Sequence, residues 1–302
     1  MTPATLAARL RALFPEASGR AIKDWLAAGR VRVDGAVARD GRAAVPARAV
    51  VTLGAAAAPA AARGSAGLDV VLEDEHFVVV DKPPGLLTIA TESERERTLY
   101  RLVWDHLAAR RPPRRPFIVH RLDRETSGLL VFATSVEAKR ALQAQFEART
   151  VERVYAAVVE GRVPAAAGEL RSTLVEDGRL RVREVRGDAG PRDGERAREA
   201  VTRYRVLARG ADRTWLTLTL GTGRRRQIRV QLAGLGHPVV GDVAHGARRA
   251  ARLLLHATRL AFAHPATGAP VRVEHRPPAP LRPPGRPAMF RGGLRGAEPP
   301  VQ

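Results

Sequence analysis

His120-Arg121-Leu122-Asp123-Arg124-Glu125-Thr126-Ser127-Gly128 crowds two arginines, a histidine and two carboxylates into one short stretch between two apolar runs. Phe117-Ile118-Val119 precedes it and Leu129-Leu130-Val131-Phe132 follows. Both runs are β-branched or aromatic in character and too short for helices, so they read as buried strands joined by a charged loop. Asp123 stands between Arg121 and Arg124, and neighbouring cations favour a carboxylate over its protonated form. A positioned carboxylate can serve as nucleophile or general base. It can equally belong to a structural salt-bridge loop, and these residues alone leave both readings open.

Outward from this loop the pattern is strands and helices in irregular order. Upstream lie Val70-Val71-Leu72 and Phe77 to Val80, the latter ending at Asp81-Lys82-Pro83-Pro84-Gly85, then a helix around Leu99 to Ala109. Downstream, Ser135 can cap a helix running through Phe146, and strands follow at Val151 to Val159, Val201 to Val206 and Trp215 to Leu220. A helix is expected over Arg226 to Leu235, stopped by Gly236. No βαβ unit repeats and several strands are neighbours in sequence, which predicts an α+β fold with a mixed, largely antiparallel sheet flanked by helices.

The 302 residues suggest roughly two domains, and 45% hydrophobic content rules out disorder over most of the chain. Residues 1–53 read as a small α/β unit: Leu6, Leu10 and Leu13 form one helical stripe, while Ile22, Trp25 and Leu26 carry a second helix begun at Ser18. Val31 and Val33 then alternate with Arg30 and Arg32 into an Asp34-Gly35 turn. Arg20, Lys23, Arg30 and Arg32 cluster about the second helix and its exit, as one face for a phosphate backbone or as a solvated helix surface. Residues 54–67 are low in complexity and read as a linker; 68–275 form the main domain; 276–302 are rich in Pro, Gly and Arg and read as a flexible basic tail.

Basic residues number 51 against 31 acidic ones, a net charge of +20. Part of the arginine excess matches the shared abundance of Ala, Gly and Pro that a GC-rich genome produces. The surplus over acids nonetheless points to a polyanionic partner, nucleic acid ahead of a membrane surface. Only Lys23, Lys82 and Lys139 are lysines. Cysteine is absent, which excludes disulfides, thiolate nucleophiles and cysteine-ligated metals. No apolar run approaches the roughly 20 residues of a bilayer span, so a soluble, unexported cytoplasmic protein is expected. The eight histidines show no ligand spacing such as H-E-x-x-H, and His256 and His264 read as satisfied core or edge residues. A kinase reading of His-Arg-x-Asp fails for want of a glycine-rich loop and D-F-G. Gly221-Thr222-Gly223 lacks the third glycine of a dinucleotide fingerprint.

The run His120 to Ala133 (HRLDRETSGLLVFA) resembles the central signature of the RluA-type pseudouridine synthases, H-R-L-D-x-x-T-S-G-L-[LV]-[LV]-x-A. The likeness extends from about Leu68 to Val273, through Asp81 to Leu86, the Tyr155 strand, Gly221 to Arg229 (GTGRRRQIR), Gly236-His237-Pro238 and Leu255-His256-Ala257. Gly29 to Gly35 similarly resembles the S4 RNA-binding domain, a frequent front end in that family. The resemblance implies that Asp123 attacks a target uridine, that Arg121 fills the space left by the flipped base, and that Tyr155 stacks on uracil. It further implies that Arg224 pairs with Asp123, that Ile228 packs beneath the base, and that His120 and the basic set Arg20, Lys23, Arg30 and Arg32 contact RNA. Neither metal nor cofactor is implied; the expected partner is structured rRNA ahead of tRNA, and the sequence leaves the oligomeric state unknown, with a monomer favoured. The chain departs from the family at Arg226, where a histidine usually precedes Gln227, at His245, usually tyrosine, and at Arg153, usually lysine. A catalytically silent RNA-binding or ribosome-assembly factor, or a tRNA-specific enzyme, would share the same fold.

Overall fold

The computed structural model describes residues 4–15, 17–27, 31–34, 36–46, 49–53, 68–90, 97–177, 181–185 and 196–284. The chain divides into two units, Met1–Gly64 and Ser65–Gln302. In the larger, the elements run β1 (Asp69–Glu73), β2 (Phe77–Lys82), α1 (Leu99–Ala108), β3 (Phe117–Ile118), β4 (Ser127–Ala133), α2 (Val136–Glu147), β5 (Glu152–Glu160), β6 (Ala167–Glu176), β7 (Val182–Val185), β8 (Arg196–Arg209), β9 (Arg213–Leu220), α3 (Gln227–Gly234), β10 (Leu255–Ala263) and β11 (Pro270–Glu274). The strands form a single 11-stranded sheet in the order β7-β6-β8-β9-β5-β10-β4-β2-β1, with β3 beside β4 and β11 beside β10. Every pairing is antiparallel except β10 with β4. The α+β expectation stands.

The fold turns on the parallel junction, where His256 and Ala257 pair with Ser127 and Gly128. Gly128 takes φ +113°, and a side chain there would collide with the backbone of Ala257. Only glycine lets the two strands meet at this point. Because β4 is buried at every position, its run of Leu, Val and Phe serves both faces of the sheet. On one face Val80, Leu130, Tyr155, Ala157, Leu218 and Ala257 pack against Leu99, Val103 and Leu107 of α1 and Ile228 and Leu232 of α3. On the other, Phe77, Val79, Leu129 and Val131 pack against Ala138 and Leu142 of α2. The alternation of period two decides which face each side chain joins. Thr98 and Ser135 cap α1 and α2 by accepting from the amides of Arg101 and Ala138.

Two features were not legible in the pattern. The β6–β8 ribbon is long and mostly half-exposed, with Glu169, Arg171, Glu199 and Arg203 forming a charge ladder across it. Residues 276–284, which composition assigned to a flexible tail, lie against the sheet. Leu281 is 1% exposed among Ala156, Val158 and Val240, and Trp215 Nε1 donates to the Pro280 carbonyl at 3.4 Å.

In the smaller unit, helices Leu6–Leu13 and Gly19–Ala27 pack over a three-stranded sheet made from Val31–Val33, Ala36–Val37 and Val51–Leu53. Its core is Leu6, Leu10, Ile22, Leu26, Val31 and Val45, so the predicted stripes face inward except at Leu13, which is 50% exposed at the end of its helix. Among the described residues no helix is long and apolar enough to cross a membrane.

Candidate active site

Asp123 sits in the loop between β3 and β4, and the surrounding backbone is fixed from several sides. The ammonium of Lys82 is fully buried and donates to the carbonyls of Pro83 (2.9 Å), Leu86 (2.8 Å) and Arg124 (2.9 Å). Burial pulls the Lys82 pKa down to about 8, against the opposing pull of Glu125, Asp123 and Asp81. Gly85 N–H donates to the same Arg124 carbonyl at 2.9 Å. Thr88 Oγ1 donates to the Leu122 carbonyl at 2.9 Å and accepts from the Leu122 amide at 3.3 Å. The Asp123 carboxylate therefore projects from a backbone whose polar groups are already paired, which is what positions a reactive group without a flexible tether.

That carboxylate is 20% exposed and opens into a cavity of about 210 Å³ whose walls include Arg121, Asp123, Tyr155, Arg224, Ile228 and Arg229. The guanidinium beside Asp123 is that of Arg229, with Nη1 3.5 Å from Oδ2. The expectation that Arg224 pairs with Asp123 is corrected: Arg224 lines the same cavity, but its Nε donates to the Glu199 carbonyl at 3.1 Å. The reason lies in the local backbone. Arg224 precedes α3 in a loop lying along β8, whereas Arg229 projects from the helix itself.

Arg229 is aimed by a second carboxylate. Its Nε and Nη2 fork onto Asp242 at 2.7 and 2.6 Å, and His245 Nδ1 lies 2.9 Å from the same group. Burial disfavours the Asp242 charge, but hydrogen bonds from Arg229 and His245 outweigh it and hold the carboxyl down at about 2. A bidentate pair of this kind leaves the third guanidinium nitrogen free to address Asp123. His245 thus contributes through Asp242 where the family usually has tyrosine.

The helix carrying Ile228 and Arg229 is fastened by two buried glutamines. Gln227 donates to the Val201 carbonyl and Thr202 Oγ1 and accepts from Thr222 Oγ1 and the Arg224 amide. Gln231 donates to the carbonyls of Leu170 and Ala200 and accepts from Thr202 Oγ1. Fully satisfied buried amides fix a helix in place, since any shift would strand them. The missing His at position 226 is replaced by an arginine at φ 51°, which starts α3 without a side-chain cap and lines the cavity wall.

Tyr155 lies on β5 beside a register shift against β10, 7% exposed, with its ring on the cavity side. Burial pushes the phenol up to about 12, so it stays neutral. Ile228 is 4% exposed and also lines the cavity. Arg121 is exposed at the cavity wall with no hydrogen-bond or ion-pair partner among the described residues. His120 is the second correction: it does not line the cavity. Its ring stacks on Phe146 at 4.6 Å and its Nε2 accepts from the Val131 amide at 3.2 Å. Burial, with the charge of Arg153 adding, pushes its pKa down to about 3 and leaves the ring neutral. In the smaller unit Lys23 and Arg32 are exposed. Arg30 and the side chain of Arg20 fall outside the described residues.

The composition held a signal for Lys82: where arginine supplies nearly every cation, a lone lysine marks a place that a planar guanidinium does not fit. Arg229 stood in the same quoted motif as Arg224, and only the tertiary structure separates them. The buried Arg153, whose Nε has no partner, had no such signal.

Residues 76–234 match the family model described as RNA pseudouridylate synthase. The ribosomal large subunit pseudouridine synthase D of Pseudomonas aeruginosa is 36% identical over 292 residues, spanning 89% of this chain and 86% of its own length. The dual-specificity RNA pseudouridine synthase RluA of Pasteurella multocida is 38% identical over 207 residues, spanning 66% of this chain and 89% of its own. Among solved structures, human RNA pseudouridylate synthase domain containing 1 superposes with a TM-score of 0.57 at 25% identity, covering 71% of this chain and 85% of that one. On this family match and these relatives, the chain belongs to the RluA-type family of RNA pseudouridine synthases, which are isomerases.

Proposed function

We propose that this protein isomerises uridine in large-subunit ribosomal RNA, with Asp123 as the nucleophile. The observation that carries this reading is the Asp123 carboxylate at the cavity, 3.5 Å from an arginine that a second, buried carboxylate holds in place. In a folded RNA the uracil is stacked and hidden, so the base has to leave the helix and its stacking has to be replaced. The Tyr155 ring offers a neutral aromatic face and Ile228 an apolar wall, while Arg121 offers an unpaired guanidinium plane at the cavity rim. Addition of Asp123 to C1′ of the ribose or to C6 of the ring labilises the N1–C1′ bond. The uracil then turns, a C5–C1′ bond forms, the C5 proton is lost, N1 gains a proton, and Asp123 is released. Mass is conserved and no net redox change occurs. Arg229 steadies the carboxylate charge before attack and after release.

The ribosomal assignment is supported by the name of the P. aeruginosa relative, and ribosomal RNA as substrate places the protein in the cytoplasm. Residues 1–53 act as an S4-like RNA-binding module, with Lys23 and Arg32 as the exposed basic contacts; residues 68–275 hold the chemistry. Deleting the module lowers RNA affinity and flattens its dependence on salt, because phosphate contacts are lost; unchanged binding would remove it from the account. The functional assignment is tested by mapping pseudouridine across total RNA from cells with and without the gene. Disappearance of one or more large-subunit sites, restored by the intact gene, supports it. An unchanged map, as a catalytically silent assembly factor would give, overturns it, and a loss confined to tRNA overturns the ribosomal substrate.

A further inference from the structure

Strand alternation turns Asp81 and His256 away from the catalytic cavity. Their neighbours Val80, Leu255 and Ala257 join the core that holds Tyr155, so Asp81 and His256 face the opposite side of the sheet. There they meet His275, just beyond β11, and one donor atom from each of the three lies within 4.8 Å of the others. The rings of His256 and His275 are 5.7 Å apart. His256 is 0% exposed. Its Nε2, Asp81 Oδ1 and His275 Nδ1 are all buried atoms without a hydrogen-bond partner. His275 Nδ1 has only the Asp81 Oδ2 atom nearby, at 3.4 Å, and buried polar atoms left without hydrogen bonds are costly. The sequence reading of His256 as a satisfied core residue is corrected accordingly.

The neighbours of His256 orient it as a ligand. Its Nδ1 lies 2.8 Å from Ser127 Oγ, which also accepts from Arg252 Nη2 and directs its own hydroxyl to the Leu255 carbonyl. In the tautomer that donates Nδ1–H to Ser127 Oγ, Nε2 is a bare lone pair, the arrangement seen when a neighbour orients a metal-binding imidazole. We infer that Asp81, His256 and His275 form a binding site for one divalent transition-metal ion of the zinc class, held by one carboxylate oxygen and two imidazole nitrogens. Two imidazoles and a carboxylate suit a borderline cation and leave a fourth position for water. Tetrahedral bonds of about 2.0–2.2 Å place ligand atoms about 3.3–3.6 Å apart, so the cluster closes slightly on binding. His275, whose side chain is 31% exposed, has room to make that movement. Lys82, Asp69 and Arg252 also face Asp81, and Arg252 also faces His256; the two cations oppose a bound ion and Asp69 favours it.

The ion would join β2, β10 and the segment after β11. Asp81 adjoins Lys82, which anchors the Asp123 loop, and His256 pairs with Ser127 at the parallel junction that ends that loop, while no ligand touches the reacting atoms. The test uses the full-length protein, stripped with chelator and titrated with zinc, with bound metal counted by elemental mass spectrometry and site geometry read from cobalt(II) visible absorption. One zinc per chain is expected. His275→Gln weakens it by roughly 100-fold or more, while His264→Gln, at a separate histidine pair with His76, leaves it intact. Zinc at roughly 100 times its Kd raises the unfolding midpoint of the parent by about 5–10 °C and does not move that of His275→Gln. Should His256→Ala fail to fold, His275→Gln at the cluster's more exposed edge still decides. Equal zinc uptake by parent and His275→Gln overturns the site. So does a parent midpoint indifferent to zinc, which would leave His275 and Asp81 as a plain ion pair.

Discussion

Replacing Asp242 by asparagine removes the charge that aims Arg229 while keeping the shape of the side chain. Asp242 is 2% exposed, so solvent screening does not erode its contribution. Its carboxyl falls from the usual 3.8 to about 2 in the folded protein, which corresponds to about 2 kcal/mol of stability at neutral pH. The variant also leaves Arg229 buried against a neutral amide, and breaking a buried pair costs about 3–5 kcal/mol. One amide oxygen still accepts from the fork, so a loss of about 3 kcal/mol is expected, or about 6–12 °C in midpoint. The sign with pH follows from a depressed folded value: the linkage part is fully present above 3.8 and disappears as pH falls toward 2. Urea unfolding of parent and variant should differ fully at pH 6, almost as much at pH 4, and by about half of the linkage part less at pH 3. Pseudouridine formation at pH 7 should fall at least about tenfold, because an unsteadied guanidinium no longer meets Asp123 in one geometry. A variant as stable as the parent at pH 6, or a gap that does not narrow by pH 3, would refute the claim that Asp242 holds Arg229 as an ion pair.

Two further perturbations address the walls of the cavity and the loop anchor. Tyr155→Phe keeps RNA affinity within about twofold, whereas Tyr155→Ala weakens capture of the target RNA by roughly 10–100-fold through the loss of one stacked base; equal affinities in a filter-binding titration would dismiss the stacking role. Lys82→Arg keeps the charge yet cannot gather three carbonyls around one compact donor, so thermal unfolding should show a loss of about 2–3 kcal/mol, and a neutral outcome would show that the loop is anchored elsewhere.

The strands nearest the site were readable because they are buried on both faces: Leu129 to Phe132 and Val154 to Val159 are apolar runs, the second bounded by Arg153 and Glu160. β6 and the ends of β8 beyond Val201 to Val206 escaped because half-exposed strands rich in Glu, Arg, Ser and Thr carry little hydrophobic alternation. Local charge density singled out the Asp123 loop but left a salt-bridge reading open, and the resemblance of His120 to Ala133 to the family signature gave Asp123 its expected role. The partner of Asp123 was not legible, since Arg224 and Arg229 share one motif and differ only in which element carries them. His120 stood in the quoted signature yet serves Phe146 and the Val131 amide, a packing role that no spacing reveals. Leu281 likewise lay in a Pro-rich stretch whose composition concealed a single buried anchor.

The most direct measurement compares purified parent and Asp123→Asn on large-subunit ribosomal RNA, counting pseudouridine by mass spectrometry of nucleosides and measuring RNA affinity in the same buffer. The account predicts no product above background from the variant and an affinity within about twofold of the parent, since this carboxylate reacts with the nucleotide and does not attract phosphate. Product formed by Asp123→Asn at a rate near that of the parent would contradict it.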